Sequence, residues 1–186
     1  GETVYDQLLD AYKEVKKCGG SRQDYLERAA EIEGIYVPSF YEASYHEDGT
    51  LASFTPVNPH AGEKIHKQVV LDVTAAPYPE APVVPFIKVT QDRVVLEIQR
   101  GCIRGCRFCQ AGMLYRPTRE RDVEVLKEYA RRMLENTGHE EISLSSLSSS
   151  DYSQLKELVH FLIEEFRTGG SIFPCLLFVL TPSPWT

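Results

Sequence analysis

Apolar positions in the first part of the chain recur every three or four residues, which is the spacing of one helix face. The first such face carries Val4, Leu8, Ala11, Tyr12 and Val15. Gly19-Gly20 ends this pattern, and Ser21 then offers an N-cap with Asp24 three residues later. The pattern therefore predicts two helices, the second of which ends near Gly34.

From about residue 35 to residue 85 the pattern changes, and short apolar runs alternate with turn signals. The tetrapeptide His46-Glu47-Asp48-Gly49 is typical of a hairpin turn. Most of the prolines lie between Pro38 and Pro85, which argues against long helices there. We interpret residues 1–85 as a connector made of two helices and a few short strands.

After this connector, strand patterns alternate with amphipathic helix patterns. The two predicted strands lie at 94–98 and 142–147. The helix between them ends at Gly138, and its apolar face carries Leu126, Tyr129, Ala130, Met133 and Leu134. The helix after the second strand ends at Gly169-Gly170, and its inward face carries Leu155, Leu158, Val159, Leu162 and Phe166. Strands that alternate with helices in this way imply parallel pairing through right-handed crossovers.

The composition is that of a globular protein, with 42% hydrophobic and 25% charged residues. No uninterrupted apolar stretch is long enough to cross a bilayer. The formal net charge of −7 argues against nonspecific nucleic-acid binding, although it leaves room for a local basic patch. Five cysteines, three of them within eight residues, suit a reducing compartment and metal chemistry, so cytoplasm is the expected location.

Those three cysteines follow directly after the first strand of the alternating segment. Cys102, Cys106 and Cys109 have the spacing C-x3-C-x2-C. Three thiolates from one tight loop can each hold one iron of a cubane cluster and leave the fourth iron without a protein ligand. Gly101 and Gly105 would let the backbone fold closely around such a cluster. A small chelating molecule could then fill the open position.

Other interpretations of the three cysteines stay open at this point. A structural zinc site normally needs four protein ligands, and Cys18 and Cys175 are remote in sequence. A ferredoxin-type electron carrier would have a fourth cysteine nearby, often followed by proline, and the loop has none. Buried structural cysteines are a third alternative, which the flanking arginines and glycines disfavour.

The segment 99–110 resembles the C-x3-C-x-aromatic-C motif of the radical S-adenosylmethionine (SAM) superfamily, with Phe108 at the aromatic position. The resemblance implies that Cys102, Cys106 and Cys109 ligate a 4Fe–4S cluster. It further implies that the fourth iron binds SAM through its amino and carboxylate groups, and that Phe108 lies against the adenine side. The implied fold is α/β, the N-terminal portion of a radical SAM partial (βα)6 TIM-like barrel, preceded by the helical and Pro-rich connector.

Residues around this motif carry further expectations from the same resemblance. The family's second strand usually ends in a Gly-Gly-Glu-like element that contacts the SAM amino group. Ser145 and Ser146 stand there instead, so their hydroxyls or carbonyls are the expected acceptors. Arg104 is expected either to pair with the SAM carboxylate or to be part of a solvated basic turn. Asp151 could also help to bind the ammonium group, but its sequence position favours the role of a helix N-cap.

The sequence on both sides of the motif resembles one bacterial subfamily, the radical SAM proteins that have a cobalamin-binding-like domain ahead of the barrel. The resemblance lies in the segments 97–102, 108–117 and 142–152. It implies that residues 1–85 join such a domain, absent from this chain, to a barrel that starts at 86–170, with cobalamin bound through the missing domain. The stretch 171–186 does not match the expected third strand, and we interpret it as the out-of-frame tail of a truncated fragment, in which Cys175 is accidental.

The function implied by the resemblance is reductive cleavage of SAM to a 5′-deoxyadenosyl radical that acts on an unknown substrate. The expected partners are SAM and a reductant such as flavodoxin or ferredoxin, without a membrane. One alternative is a radical SAM methyltransferase or methylthiotransferase that acts on RNA or protein, and the acidic net charge weakens the RNA version. The other is an inactive fragment that binds iron–sulfur or zinc.

Overall fold

A computed structural model of the chain describes residues 2–87, 89–90 and 92–167. The chain divides into two compact units, Gly1–Val70 and Leu71–Thr186. The interpretation of 171–186 as an out-of-frame tail, and with it Cys175, lies outside the described residues. Within the described ranges, no helix combines the length and the apolar character that crossing a membrane requires.

The first unit begins with the two helices that the apolar pattern predicts, α1 (Thr3–Lys17) and α2 (Arg22–Ala30). The backbone N–H of Ser21 donates to the Asp24 carboxylate at 2.6 Å, and the Asp24 N–H donates to Ser21 Oγ at 3.3 Å. This reciprocal capping box fixes the start of α2 and confirms the predicted cap. The second helix ends at Ala30, four residues earlier than expected.

A β-hairpin completes the described secondary structure of this unit. Its antiparallel strands are β1 (Tyr41–Tyr45) and β2 (Leu51–Pro56), and a single 3-10 turn, Pro38–Phe40, precedes them. In the connecting turn the Gly49 N–H donates to the His46 carbonyl at 3.0 Å. Gly49 has a φ of 81°, which glycine adopts at little cost, so the predicted hairpin turn is confirmed.

The second unit contains the alternating segment. Its elements are β3 (Val94–Glu97), β4 (Gln99–Arg100), α3 (Ala111–Leu114), β5 (Arg119–Glu120), α4 (Val123–Thr137), β6 (Ile142–Ser145), the 3-10 turn Ser149–Asp151 and α5 (Leu155–Arg167). Strands β3 and β6 pair in parallel, and α4 connects them. The predicted β-α-β-α order is therefore confirmed. Among the described residues the parallel sheet has two strands, so a mixed α/β fold is present but not a barrel.

The core of this unit lies between one face of the parallel strands and the helices α4 and α5. Its buried members are Val94, Leu96, Ile98, Val123, Leu126, Ala130, Met133, Ile142, Leu144, Tyr152, Leu158 and Leu162. Successive strand residues point to opposite faces, so Val95 and Glu97 of β3 lie on the face away from this core. That second face is polar along β6, where it carries Ser143 and Ser145.

Tyr78 covers the edge of β3 that does not pair with β6. Its hydroxyl donates to the Val95 carbonyl at 2.5 Å and accepts the Glu97 N–H at 3.0 Å. Burial raises the pKa of this phenol, so the hydroxyl keeps its proton and can donate. Two backbone groups that an open strand edge would expose are thereby satisfied within the chain.

Replacing Tyr78 with phenylalanine is expected to lower the free energy of unfolding by about 2 kcal/mol, because two hydrogen bonds to the strand edge are lost. Urea denaturation measures the change. Tyr45→Phe in β1 is the matched control, since its side chain is 65% exposed and the substitution removes the same hydroxyl. Equal stability of the two variants would contradict a role for Tyr78 in covering the edge.

Candidate functional site

The three cysteines lie on a loop that is closed at its base by a short antiparallel ladder. Strands β4 and β5 pair with Gln99 opposite Glu120 and Arg100 opposite Arg119. The ladder brings the two ends of residues 101–118 together directly after β3. The loop therefore leaves the sheet from the carboxyl end of a parallel strand, where α/β proteins place their ligand sites.

Gly101 allows the two ends of this loop to pack against each other. Its φ is 85°, and a Cβ atom there would lie 2.6 Å from the Tyr115 carbonyl oxygen and 2.7 Å from that of Pro117. Arg119 holds the same two carbonyls, with Nη2 3.1 Å from Tyr115 O and Nε 2.9 Å from Pro117 O. The position of Cys102 thus depends on an adjacent residue that must be glycine.

Gly105 differs from Gly101, because an added Cβ atom would meet no described residue within 4 Å apart from its two neighbours in the chain. The chain itself therefore does not require glycine at this position. The sequence predicted that Gly105 lets the backbone fold closely around a bound cluster, and this stays a prediction.

The three thiols have different surroundings. Cys102 is buried, and its Sγ accepts the Arg104 backbone N–H at 3.4 Å. Cys106 is exposed, and Cys109 is half-buried with its N–H donating to the Cys106 carbonyl at 3.1 Å. In the part of the chain that the structure describes, no three His, Cys, Asp or Glu side chains gather around a common point that could hold a metal ion. The three sulfurs share a loop without converging, so their role as ligands stays a prediction.

The donor set nevertheless fits an iron–sulfur cluster by its chemistry. Thiolates are the usual ligands of such clusters. The loop and its flanks carry five arginines and no acidic residue between Ile98 and Arg119, although the whole chain has a net charge of −7. These arginines are Arg100, Arg104, Arg107, Arg116 and Arg119. Positive charge beside an anionic cluster stabilises it and raises its reduction potential.

Arg104 forms a bidentate ion pair with Asp151, which lies after β6. Nε and Nη2 of Arg104 are 2.9 and 2.5 Å from the two carboxylate oxygens. The pair raises the pKa of Arg104 and lowers the pKa of Asp151, so both groups are charged. The expectation that Asp151 caps the next helix is wrong, because it ends the 3-10 turn Ser149–Asp151 and α5 begins only at Leu155.

The other residues predicted to contact SAM lie near the same loop or at the end of β6. Ser145 is the last residue of β6 and is exposed. The Ser146 hydroxyl lies 2.9 Å from that of Ser149 and accepts the Ser148 N–H at 3.2 Å, so it is already used within the turn. Phe108 is 79% exposed. Whether these residues bind a cofactor stays a prediction.

Gln99 is a site residue that the sequence analysis did not single out. Its side chain is 2% exposed, and Nε2 donates to the Ser148 carbonyl at 2.6 Å. Its Oε1 has no hydrogen-bond partner among the described residues. The contact joins the strand before Cys102 to the serine-rich segment after β6. A polar residue directly after an apolar strand, three positions before a cysteine, is a signal that could have identified it.

Arg121 lies at the base of the loop, and its burial there was not predicted from the sequence. Its side chain is 1% exposed, and its guanidinium donates to the Glu97 carbonyl at 3.2 Å and lies 3.3 Å from the Glu97 carboxylate. The guanidinium also lies over the rings of Tyr78 and Tyr129, 5.0 and 5.7 Å from their centroids. Glu97 pairs with Arg100 as well, at 2.8 and 2.9 Å. One carboxylate therefore anchors two arginines beneath the loop.

Comparison with known proteins gives one similar relative and one matching family model. Over 68 residues the chain is 38% identical to Uncharacterized protein MJ0966 of Methanocaldococcus jannaschii, an alignment that covers 37% of this chain and 15% of that relative. The chain thus spans about one seventh of that relative's length. No solved structure matches the chain. Residues 96–177, which include all three cysteines of the loop, match the family model of the Radical SAM superfamily.

Proposed function

We propose that this chain carries the iron–sulfur part of a radical SAM enzyme, in which Cys102, Cys106 and Cys109 hold a 4Fe–4S cluster. The observation that carries the proposal is the C-x3-C-x-Phe-C motif on a closed loop at the carboxyl end of β3, within residues matched by the superfamily. When bound, the cluster and SAM supply reductive cleavage of SAM to a 5′-deoxyadenosyl radical. The substrate of that radical is unknown.

The role of the cysteines is to bind three irons and leave the fourth accessible. Arg104 uses Nε and Nη2 for Asp151, which leaves further N–H groups of its five donors for the SAM carboxylate. Its positive charge beside the cysteines favours the anionic form of both cluster and carboxylate.

The end of β6 would receive the amino group of SAM. The exposed Ser145 and the backbone carbonyls of this turn offer acceptors for the ammonium hydrogens. Ser146 would contribute through its carbonyl, because its hydroxyl is bonded within the turn. The exposed ring of Phe108 is available to lie against the adenine.

The wider setting of the proposal rests on the resemblance to the subfamily. It comprises a connector at 1–85, the beginning of a partial barrel at 86–170, a cytoplasmic location and a reductant such as flavodoxin or ferredoxin. Cobalamin, bound by a domain ahead of the connector, belongs to the same set of expectations. Three thiols in eight residues support the reducing location.

Anaerobic reconstitution of the chain with iron and sulfide, followed by SAM and dithionite, tests the proposal. We expect about four irons and four sulfides per chain, and 5′-deoxyadenosine that appears only when both SAM and dithionite are present. Iron, sulfide and zinc are measured by elemental analysis, and the nucleoside by chromatography. Zinc bound in preference to iron would overturn the cluster, and a full cluster that yields no 5′-deoxyadenosine would overturn catalysis by this chain.

A further inference from the structure

A continuous set of polar contacts connects the residues on either side of Cys102 through the segment after β6. Gln99 Nε2 donates to the Ser148 carbonyl at 2.6 Å, and Ser148 Oγ donates to Asp151 Oδ2 at 2.7 Å. Asp151 accepts two N–H groups of Arg104, and the Arg104 backbone N–H donates to Cys102 Sγ at 3.4 Å. The four residues Gln99, Arg104, Ser148 and Asp151 are called the polar clamp below.

The polar clamp has a fixed part and a part that reaches out from the loop. The fixed part is buried: the side chain of Asp151 is 12% exposed, and Gln99 as a whole residue is 2% exposed. The Asp151 N–H also donates to the Ser148 carbonyl at 3.1 Å, which fixes the turn that carries the carboxylate. Arg104, at 60% exposure, is the member that belongs to the cysteine loop. The segment after β6 therefore provides the anchor, and the loop is held against it.

We propose that Gln99 and Asp151 are positioning residues for the cluster loop. This inference rests on the proposed function, because it concerns the same three cysteines. The described hydrogen bonds of both side chains go to groups other than the cysteine sulfurs. Gln99 acts through Ser148, and Asp151 acts through Arg104, so that the turn from Cys102 to Cys106 keeps its place beside β6.

The geometry distinguishes this ion pair from an ordinary surface pair. Exposed pairs contribute little, because water screens both partners. Here the carboxylate is largely buried, accepts from Ser148 as well, and binds the guanidinium through two parallel contacts. Arg107 is in the same loop, is exposed, and makes no ion pair with the described residues. Arg107→Gln therefore shows what the loss of one loop charge does to the cluster when the polar clamp stays intact.

The test compares Asp151→Asn, Asp151→Glu, Gln99→Met and the control Arg107→Gln after reconstitution with iron and sulfide. The first readout is the rate at which an iron chelator removes iron, and the second is the electron paramagnetic resonance spectrum of the reduced cluster. We expect iron loss from Asp151→Asn and Gln99→Met to be about 10-fold faster than from the wild type, as for other residues that orient metal ligands. Asp151→Glu, which keeps the charge, is expected to recover most of the wild-type rate and spectrum.

Urea denaturation of each variant without iron separates positioning from folding. Faster iron loss and an altered spectrum at unchanged stability support the inference, as does recovery in Asp151→Glu. Loss of stability without faster iron loss from the folded protein would overturn it, and so would an equal rate in Arg107→Gln and Asp151→Asn. If the wild-type chain takes up no cluster, the proposed function itself is refuted. If the wild type takes up a cluster and Asp151→Asn loses iron at the same rate, only the role of the polar clamp is refuted.

Discussion

Replacing any one of Cys102, Cys106 and Cys109 with alanine is expected to abolish the 4Fe–4S cluster and the release of 5′-deoxyadenosine. Under the proposed function, each cysteine is the protein ligand of one iron, and alanine has no atom that can replace the thiolate. Iron per chain after anaerobic reconstitution should fall from about four to below one, with the nucleoside at background.

Cys18→Ala is the matched control, because this exposed cysteine belongs to the end of α1, far along the sequence from the loop. Its iron content should equal that of the wild type. Cys106→Ala is the most informative of the three loop variants. Its thiol is exposed, so its removal has little effect on packing, whereas Cys102 is buried. Wild-type cleavage of SAM by any one of the loop variants would contradict the assignment of the three ligands.

The sequence predicted the elements whose signals are local. The capping box of Ser21 and Asp24 depends on atoms three residues apart, and it formed as expected. Gly138 ends α4 in the left-handed conformation, with a φ of 70° and its N–H donating to the Leu134 carbonyl. The parallel pair β3 and β6 was predicted from apolar runs separated by an amphipathic helix. In each case the residues that fix the element lie within it or next to it.

Elements defined by distant contacts were not predicted. Strands β4 and β5 contain two residues each, which is too short to show any alternation, and only their pairing reveals them. Tyr78 lies in a Pro-rich stretch with no strand pattern, and its role at the edge of β3 depends on tertiary packing. The burial of Arg121 depends on a carboxylate 24 residues away. Such contacts leave no periodic signal in the sequence.

In the candidate site, too, local features were predicted from the sequence and contacts between distant residues were not. The motif alone named Cys102, Cys106 and Cys109 as candidate ligands, because the spacing of residues on one loop can be read from the sequence. The pairing of Arg104 with Asp151 joins residues 47 positions apart, and it replaced an expected helix cap because a 3-10 turn precedes α5. Gln99 was absent from the predicted site because its partner is a backbone carbonyl. The motif residues can therefore be named from the sequence, whereas the contacts that hold their loop cannot.

Gly101→Ala is expected to destabilise the second unit by about 3 kcal/mol. Part of this cost arises because alanine adopts a φ of 85° only with strain, of about 1 to 2 kcal/mol. The rest arises because its Cβ would lie 2.6 and 2.7 Å from two carbonyl oxygens that Arg119 holds in place, and relieving such overlap costs about 1 to 3 kcal/mol. The loop must open to relieve the overlap, which displaces Cys102. We therefore expect both a lower urea midpoint and a lower iron content.

Gly105→Ala is the control for this substitution, since it adds the same methyl group to the same loop at a point where, apart from its two chain neighbours, no described residue lies within 4 Å. Measured on the protein without iron, its urea midpoint should equal that of the wild type, while that of Gly101→Ala falls. The comparison depends on the backbone alone, so it tests the loop geometry independently of any cofactor. Equal midpoints for the two alanine variants would mean that the contact of Gly101 with Tyr115 and Pro117 does not hold the loop closed.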